Sequence, residues 1–187
     1  MMRLMTKRFL VISLVMIAML VLAGCSSDSS KLGRYYQGKV LHISVAEIER
    51  SGTVSFSTVN PEGLIRSFQL NPSSEKREIV RFRVKVENHT AATAIVNIDE
   101  NAVILNDFFS NDYRPINIYE YQISEPSSEG SVSLTPLWNN ITSQDDSESF
   151  ALPRGTGIDG WMFFDVPKDT HFREFKWRAG DSLGIEF

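Results

Sequence analysis

The stretch Glu78-Ile79-Val80-Arg81-Phe82-Arg83-Val84-Lys85-Val86-Glu87 decides the fold class of this chain. Every second residue from Val80 to Val86 is apolar, and the residues between them are charged. Because successive side chains of a strand point to opposite faces, this period of two predicts a strand with one buried and one wet face. A half-solvated face is typical of antiparallel sheets. Arg81, Arg83 and Lys85 are therefore interpreted as a solvated sheet face.

Shorter runs of β character surround this stretch and predict further strands. They are Lys39–Ile48, Val54–Val59, Leu64–Leu70, Ala94–Ile98, Ala102–Leu105, Asn117–Ile123, Trp161–Val166, Phe172–Trp177 and Leu183–Phe187. The turn sequence Asn60-Pro61-Glu62-Gly63 predicts a hairpin. The polar stretches 124–131 and 139–149 predict loops. Many short strands with almost no helical periodicity favour an all-β sandwich or barrel.

A basic and then apolar segment precedes this β-rich part. Arg3, Lys7 and Arg8 lead into an apolar run that ends in Leu22-Ala23-Gly24-Cys25. A basic start, a short apolar core and a small-residue exit are typical of a secretory signal peptide. The run is shorter than the roughly 18 residues of a spanning helix. A transmembrane anchor, or a conventional signal with a cysteine nearby by chance, are the alternatives.

The exit sequence Leu22-Ala23-Gly24-Cys25 resembles the lipobox of bacterial lipoproteins. The resemblance implies that the signal is removed before Cys25 and that this cysteine carries the lipid. Two or more acyl chains hold a protein stably on a membrane. The expected location is lipid-anchored and outside the cytoplasm, on the outer face of the plasma membrane or, in a two-membrane bacterium, on the outer membrane.

Three segments are therefore expected along the chain. Residues 1–24 are predicted to be the signal peptide. Residues 25–37 are predicted to comprise the lipidated cysteine and a flexible tether, because 26–34 are small, polar and non-periodic. Residues 38–187 are predicted to form the β-sandwich.

A more specific resemblance involves the strand ending Val84-Lys85-Val86-Glu87-Asn88, the turn Leu152-Pro153-Arg154-Gly155 and the segment Gly160-Trp161-Met162-Phe163-Phe164-Asp165-Val166-Pro167-Lys168. Together they resemble the telokin-like, immunoglobulin-type domain of many bacterial lipoproteins of unknown function. The resemblance implies an immunoglobulin-like antiparallel β-sandwich in the cell envelope, with no known catalytic residues. Arg154 separates the proline from the glycine of the family's turn, and the stretch from Asp107 to Ser149 is longer than the family's.

The residues of this segment also have a direct physical interpretation. Gly155 suits a turn that needs a positive φ, and Gly160 suits a bulge or a close approach of another strand. Val166-Pro167 is expected to end a strand, because proline cannot donate to the ladder.

Composition and charge narrow the range of functions. The formal net charge is −4, and loss of Arg3, Lys7 and Arg8 with the signal makes the mature chain more negative. Because phosphate binding needs clustered Lys and Arg, no nucleic-acid partner is expected. Cys25 is the lone cysteine, so its acylation leaves no thiol for a disulfide or a thiolate metal site.

Several short motifs match chemical signatures without their structural context. Gly155 to Gly160 fits GxGxxG, but an apolar strand follows where a dinucleotide site needs a helix. Ser73 to Lys76 fits SxxK without the accompanying motifs of serine acylases. His42, His89 and His171 show no ligand spacing. The acidic loop Asp145, Asp146 and Glu148 lacks the EF-hand pattern. No catalytic residue, cofactor or metal site is predicted, and the chain is not expected to be an enzyme.

One group of aromatic residues is a candidate interaction patch. Its members are Phe108, Phe109, Tyr113, Tyr119, Tyr121 and Trp138. Aromatic residues are enriched at recognition surfaces, but they also fill small β-cores. The expected function is a non-catalytic protein-interaction or scaffold module with an envelope protein as its partner. A carrier of a small ligand or ion, and an accessory to an enzyme, are the alternatives.

Overall fold

The computed structural model describes residues 31–59, 65–118, 132–142 and 146–187, and in these ranges it contains strands and no helix. The strands are β1 (Tyr36–Gln37), β2 (Leu41–Ser51), β3 (Val54–Val59), β4 (Ile65–Leu70), β5 (Arg77–Asn88), β6 (Thr93–Val96), β7 (Val103–Asp107), β8 (Asp112–Tyr113), β9 (Val132–Ser133), β10 (Asn140–Thr142), β11 (Asp146–Glu148), β12 (Phe150–Pro153), β13 (Gly157–Pro167), β14 (Phe172–Trp177) and β15 (Leu183–Glu186).

The first sheet is built around β5, the strand predicted from the charged and apolar alternation. Its order is β1-β2-β5-β13, and all of its pairs are antiparallel. Strand β13 pairs with β5 from Gly157 opposite Glu87 to Pro167 opposite Arg77. A bulge shifts the register of β2 between Val45 and Glu47.

A second sheet faces the first across the main core. Its order is β15-β14-β7-β8, and the small β12-β6 pair lies beside it. Val80, Phe82, Val84 and Val86 are each 0 % exposed and pack in this core with residues such as Phe175 and Trp177. The Phe82 ring lies 5.3 Å from the Phe164 ring and 5.7 Å from the Phe175 ring. The predicted all-β, largely antiparallel β-sandwich is confirmed.

A third layer covers part of the other face of the first sheet. Its strand order is β4-β3-β9, and the β3–β9 pair is parallel. A separate apolar cluster fills the space beneath it, with Phe56 stacked on Phe163 at 5.3 Å and with Ile79 fully buried. The hairpin Val54–Val59 with Ile65–Leu70 was predicted, but its packing on the sandwich was not.

The folded body begins before the predicted boundary at residue 38. Residues 31–187 form one compact unit. The Gly33 amide donates to the Val45 carbonyl over 2.8 Å, and the side chains of Leu32 and Tyr36 pack against the core. Because these apolar groups are removed from water, residues 31–37 belong to the body and not to the tether.

The turn residues of the resemblance occupy the positions predicted for them. Gly155 has φ of 77°, in the left-handed region that favours glycine. A Cβ at Gly160 would lie 2.8 Å from the Thr135 carbonyl oxygen, so the neighbouring segment approaches too closely for a side chain. Asn88 is buried, and its side-chain amide donates to the carbonyls of Ala91 and Leu152 over 2.8 Å each.

Two local predictions need correction. The stretch 139–149, predicted as a loop, contains the short hairpin of β10 and β11, in which polar residues pair through their backbones. Strand β13 begins at Gly157, ahead of the predicted Trp161, because its glycine-rich start pairs with the charged end of β5. No helix of the described residues is long and apolar enough to cross a membrane.

Several predictions fall outside the described residues. They are the signal peptide, Cys25, the tether from 26 to 30, the turn Asn60–Gly63, most of the strand Asn117–Ile123 and the loop 124–131.

Candidate functional site

The basic stripe of β5 lies on an ionic sheet face, as predicted. The Arg83 guanidinium bonds both Asp159 oxygens over 2.9 Å and Glu47 over 2.8 Å. Hydrogen bonds to Asp159 and then to Glu47 raise the pKa of Arg83 above its usual value. Arg81 pairs with Glu49, and its guanidinium lies 5.0 Å from the centre of the Trp161 ring. These arginines are paired across strands, so they do not form a free cationic patch.

A shallow hollow of about 300 Å³ opens where this ionic face ends. Its lining residues come from the segment before β1, from β5 and from the start of β13: Tyr35, Lys85, Glu87, Gly155, Gly157, Ile158 and Asp159. The Tyr35 hydroxyl donates to a Glu87 carboxylate oxygen over 2.6 Å. This hydrogen bond, with burial, raises the pKa of Tyr35 to about 12.

The outer edge of β13 changes character beside the hollow. At Trp161 the amide donates to the Thr135 carbonyl and the carbonyl accepts from the Leu137 amide, so its backbone groups point away from β5 and are covered. By the period of two, the backbone groups of Gly157 and Asp159 also point outward. Among the described residues they have no backbone partner. The edge is therefore open next to the hollow.

Two histidines that are distant in sequence meet near this end of the sheet. The rings of His42 and His89 stack with their centres 4.0 Å apart. No regular spacing in the sequence indicates this contact, because it depends on the pairing of β2 with β5. His171 is exposed and has no such neighbour among the described residues. Within those residues no group of three or more His, Cys, Asp or Glu side chains could hold a metal ion.

The structure separates the members of the predicted aromatic patch. Trp138 is 6 % exposed and buried, and Tyr113 packs against the main core. These two residues therefore act in packing and are not available to a partner. Phe108 and Phe109 are 61 % and 88 % exposed. Tyr119 and Tyr121 lie outside the described residues.

The two exposed phenylalanines sit on a turn, Asp107–Asp112, which we call the aromatic turn. The buried Asp107 carboxylate accepts hydrogen bonds from the backbone amides of Phe109 and Asn111, the Asn111 side chain and the Tyr113 hydroxyl, over 2.8 to 2.9 Å. Burial by itself would raise the pKa of Asp107, but the hydrogen bonds from Asn111, Tyr113 and Phe109 outweigh it and hold the pKa below its usual value.

The remaining sequence motifs stay without chemical context. The GxGxxG match spans the turn at Gly155 and the start of β13, with no helix to receive a phosphate. Ser73 to Lys76 form an exposed turn before β5. Of the acidic loop, Asp145 lies outside the described residues.

No family model and no curated protein match the chain. Solved structures do resemble it. The yjhA protein from Bacillus subtilis is 14 % identical, with 83 % of this chain and 97 % of that chain covered and a TM-score of 0.50. This likeness shows a shared fold.

Two further structures give lower scores. A "putative lipoprotein (ycdA)" from Bacillus subtilis is 11 % identical, with a TM-score of 0.48. That match covers 86 % of this chain, which spans only 39 % of the ycdA chain. The secreted protein MPT63 from Mycobacterium tuberculosis is 16 % identical, with 84 % and 95 % of the chains covered and a TM-score of 0.45.

Proposed function

We propose that this protein is an extracytoplasmic lipoprotein, anchored through Cys25, and that its body is a non-catalytic protein-interaction or scaffold module. The lipobox supports the anchor. The interaction is supported by one structural observation, the unpaired edge of β13 beside the hollow. A partner strand that adds to this edge finds backbone groups to bond and a hollow to receive one of its side chains, which is an established mode of peptide recognition.

The second candidate function is transport of a small ligand or ion, and the same hollow would be its site. The charged groups that line it already bond one another or Tyr35. Glu87 bonds Tyr35, and Asp159 bonds Arg83 and lies 3.7 Å from the Lys85 amine. A small polar ligand would have to displace these contacts, whereas a strand would use the free backbone groups of Gly157 and Asp159. The observations therefore favour a protein partner.

The test combines anchoring with site-directed crosslinking in whole cells. The anchored chain should incorporate labelled fatty acid and fractionate with membranes, and Cys25→Ser should abolish both. A photocrosslinking residue in place of Tyr35 should give an adduct with one recurring protein. The same residue in place of His171, which is exposed elsewhere, should not.

Two variants of the edge distinguish strand addition from other contacts. Asp159→Pro removes an outward amide without disturbing the bonds to β5, since prolines are tolerated on edge strands. This change should abolish the Tyr35 adduct, and Asp159→Ala, which removes only the carboxylate, should retain it. Equal adducts from both variants would contradict strand addition, and a carrier would give no protein adduct at Tyr35.

A further inference from the structure

The aromatic turn presents its two phenylalanines in a fixed arrangement. Phe109 is 88 % exposed and Phe108 61 % exposed, although each ring would gain by leaving water. The turn is held from beneath by four hydrogen bonds to Asp107, and Ser110 takes a φ of 65° at its far side. Because the backbone is already fixed, a contact made by these rings carries little cost of ordering the turn.

The aromatic turn lies at one identifiable end of the sandwich. Asp107 pairs with Phe172, the first residue of β14, and the turn before β14 joins it to the last residue of β13, Pro167. The hollow and the His42–His89 stack lie near the other end of the first sheet, where β5 reaches Asn88. The two exposed features of the body are therefore at different ends.

The path of the chain relates the aromatic turn to the anchor. The body begins at Lys31, so only residues 26–30 separate it from Cys25. Six residue steps span at most about 20 Å when fully extended. Strand β13 alone, with 11 residues, is about 36 Å long at the usual rise per residue. A lipid on Cys25 therefore holds part of the body against the headgroups.

The direction of β1 indicates which end this is. Gly33 bonds Val45 in the middle of β2, and β1 then runs past Ile43 and His42 toward the end where β2 meets Asn88. The chain therefore enters the body travelling away from the aromatic turn. A membrane from which the tether rises lies on the side of the aromatic turn.

Charges at this end do not favour an electrostatic contact. The exposed ionisable residues there are of both signs and equal in number: Lys76, Lys168 and Arg173 against Glu75, Asp112 and Asp169. The overall net charge of −4 also opposes attraction to an anionic surface. The rings of the aromatic turn are thus the groups at this end that would gain from an apolar contact.

We propose that the aromatic turn inserts Phe108 and Phe109 into the interfacial region of the bilayer that holds the Cys25 lipid. This proposal rests on the proposed anchoring, and it assigns the exposed rings to the membrane and not to a protein groove. The contact fixes the body on its anchor so that the hollow and the open edge of β13 face away from the membrane.

The test uses the lipidated protein in vesicles whose acyl chains carry bromine, a short-range quencher of tryptophan fluorescence. Phe109→Trp should be strongly quenched, beyond the signal of the three native tryptophans. Ile95→Trp is the matched control, because Ile95 is 59 % exposed and its carbonyl lies beside Gly180, after the far end of β14. This control should show no added quenching. Quenching of Phe109→Trp should be equal in zwitterionic and anionic vesicles.

Equal quenching of the two variants would overturn the proposal, and so would a protein adduct captured in cells from a photocrosslinker at position 109. Either result leaves the proposed function standing, provided that fatty-acid labelling and the Tyr35 adduct are observed. Failure of the labelling itself would overturn both the anchor and the membrane contact.

Discussion

Asp107 shows how one buried carboxylate shapes a surface feature. Its pKa lies below the usual range because hydrogen bonds from Asn111, Tyr113 and Phe109 outweigh the effect of burial. The group therefore stabilises the fold above the unfolded pKa of about 3.9, and this stabilisation is lost as the pH falls through the lower, folded value. Asp107→Asn should lower the free energy of unfolding at pH 7 by about 1–3 kcal/mol, because an acceptor of four hydrogen bonds is impaired.

Urea denaturation across pH 2–7 measures this effect. The Asp107→Asn variant should lose less stability than the parent when the pH falls below about 4, since its side chain does not titrate there. Asp169→Asn is the control. Asp169 is exposed at a φ of 61°, a conformation that asparagine tolerates, so its stability should change by less than about 0.5 kcal/mol. A parallel acid loss in parent and Asp107→Asn would contradict the assignment.

At the scale of elements, strands were predictable where one face is apolar and the other wet. Phe172–Trp177 was predicted with its observed bounds, and β5 extends the predicted stretch by one residue at each end. The hairpin of β10 and β11 was missed because its short polar strands carry no alternation. The ion pairs of Arg83 and the His42–His89 stack could not be predicted, because they depend on which strands become neighbours.

The two-residue strand β1 depends on a carboxylate from a distant part of the chain. Asp181 accepts hydrogen bonds from the backbone amides of Val40 and Leu41, over 2.7 and 3.0 Å, in the turn that joins β1 to β2. A Cβ at Gly38 would lie 2.3 Å from the same Asp181 oxygen, so the turn and the carboxylate are in close contact. Tertiary contacts therefore hold this strand, which local propensity does not predict.

Asp181→Ala should release β1 while the sandwich stays folded. Two backbone donors would lose their acceptor, at a cost of about 1–3 kcal/mol, so amide exchange of Gln37, Val40 and Leu41 should speed up at least tenfold. Exchange in the central part of β5 should be unchanged. Ser182→Ala is the control, because the Ser182 bond to Asp181 uses its backbone amide and survives the change. Faster exchange throughout the chain would instead show that Asp181 supports the whole fold.

For the whole molecule, alternation predicted a sandwich but not its third layer. Val80 and Phe82 face the main core, whereas Ile79 on the other face packs in the second cluster with Phe163. Strands β5 and β13 are thus buried on both faces at one end and wet on one face at the other. A single apolar residue of the opposite parity, such as Ile79, does not reveal a covering sheet, because a solvated face also carries isolated apolar residues.

The two clusters predict two levels of unfolding. Phe56→Ala removes the ring that stacks on Phe163 and should cost about 3–5 kcal/mol, the usual range for a buried phenylalanine. Because the main core lies on the other face of the first sheet, amides of β3 and β4 should exchange faster while those of β5 stay protected. Phe82→Ala, in the main core, should weaken protection in every layer. Hydrogen exchange measured by mass spectrometry separates these outcomes, and equal loss of protection in β3 and β5 of Phe56→Ala would show that the layers unfold as one unit.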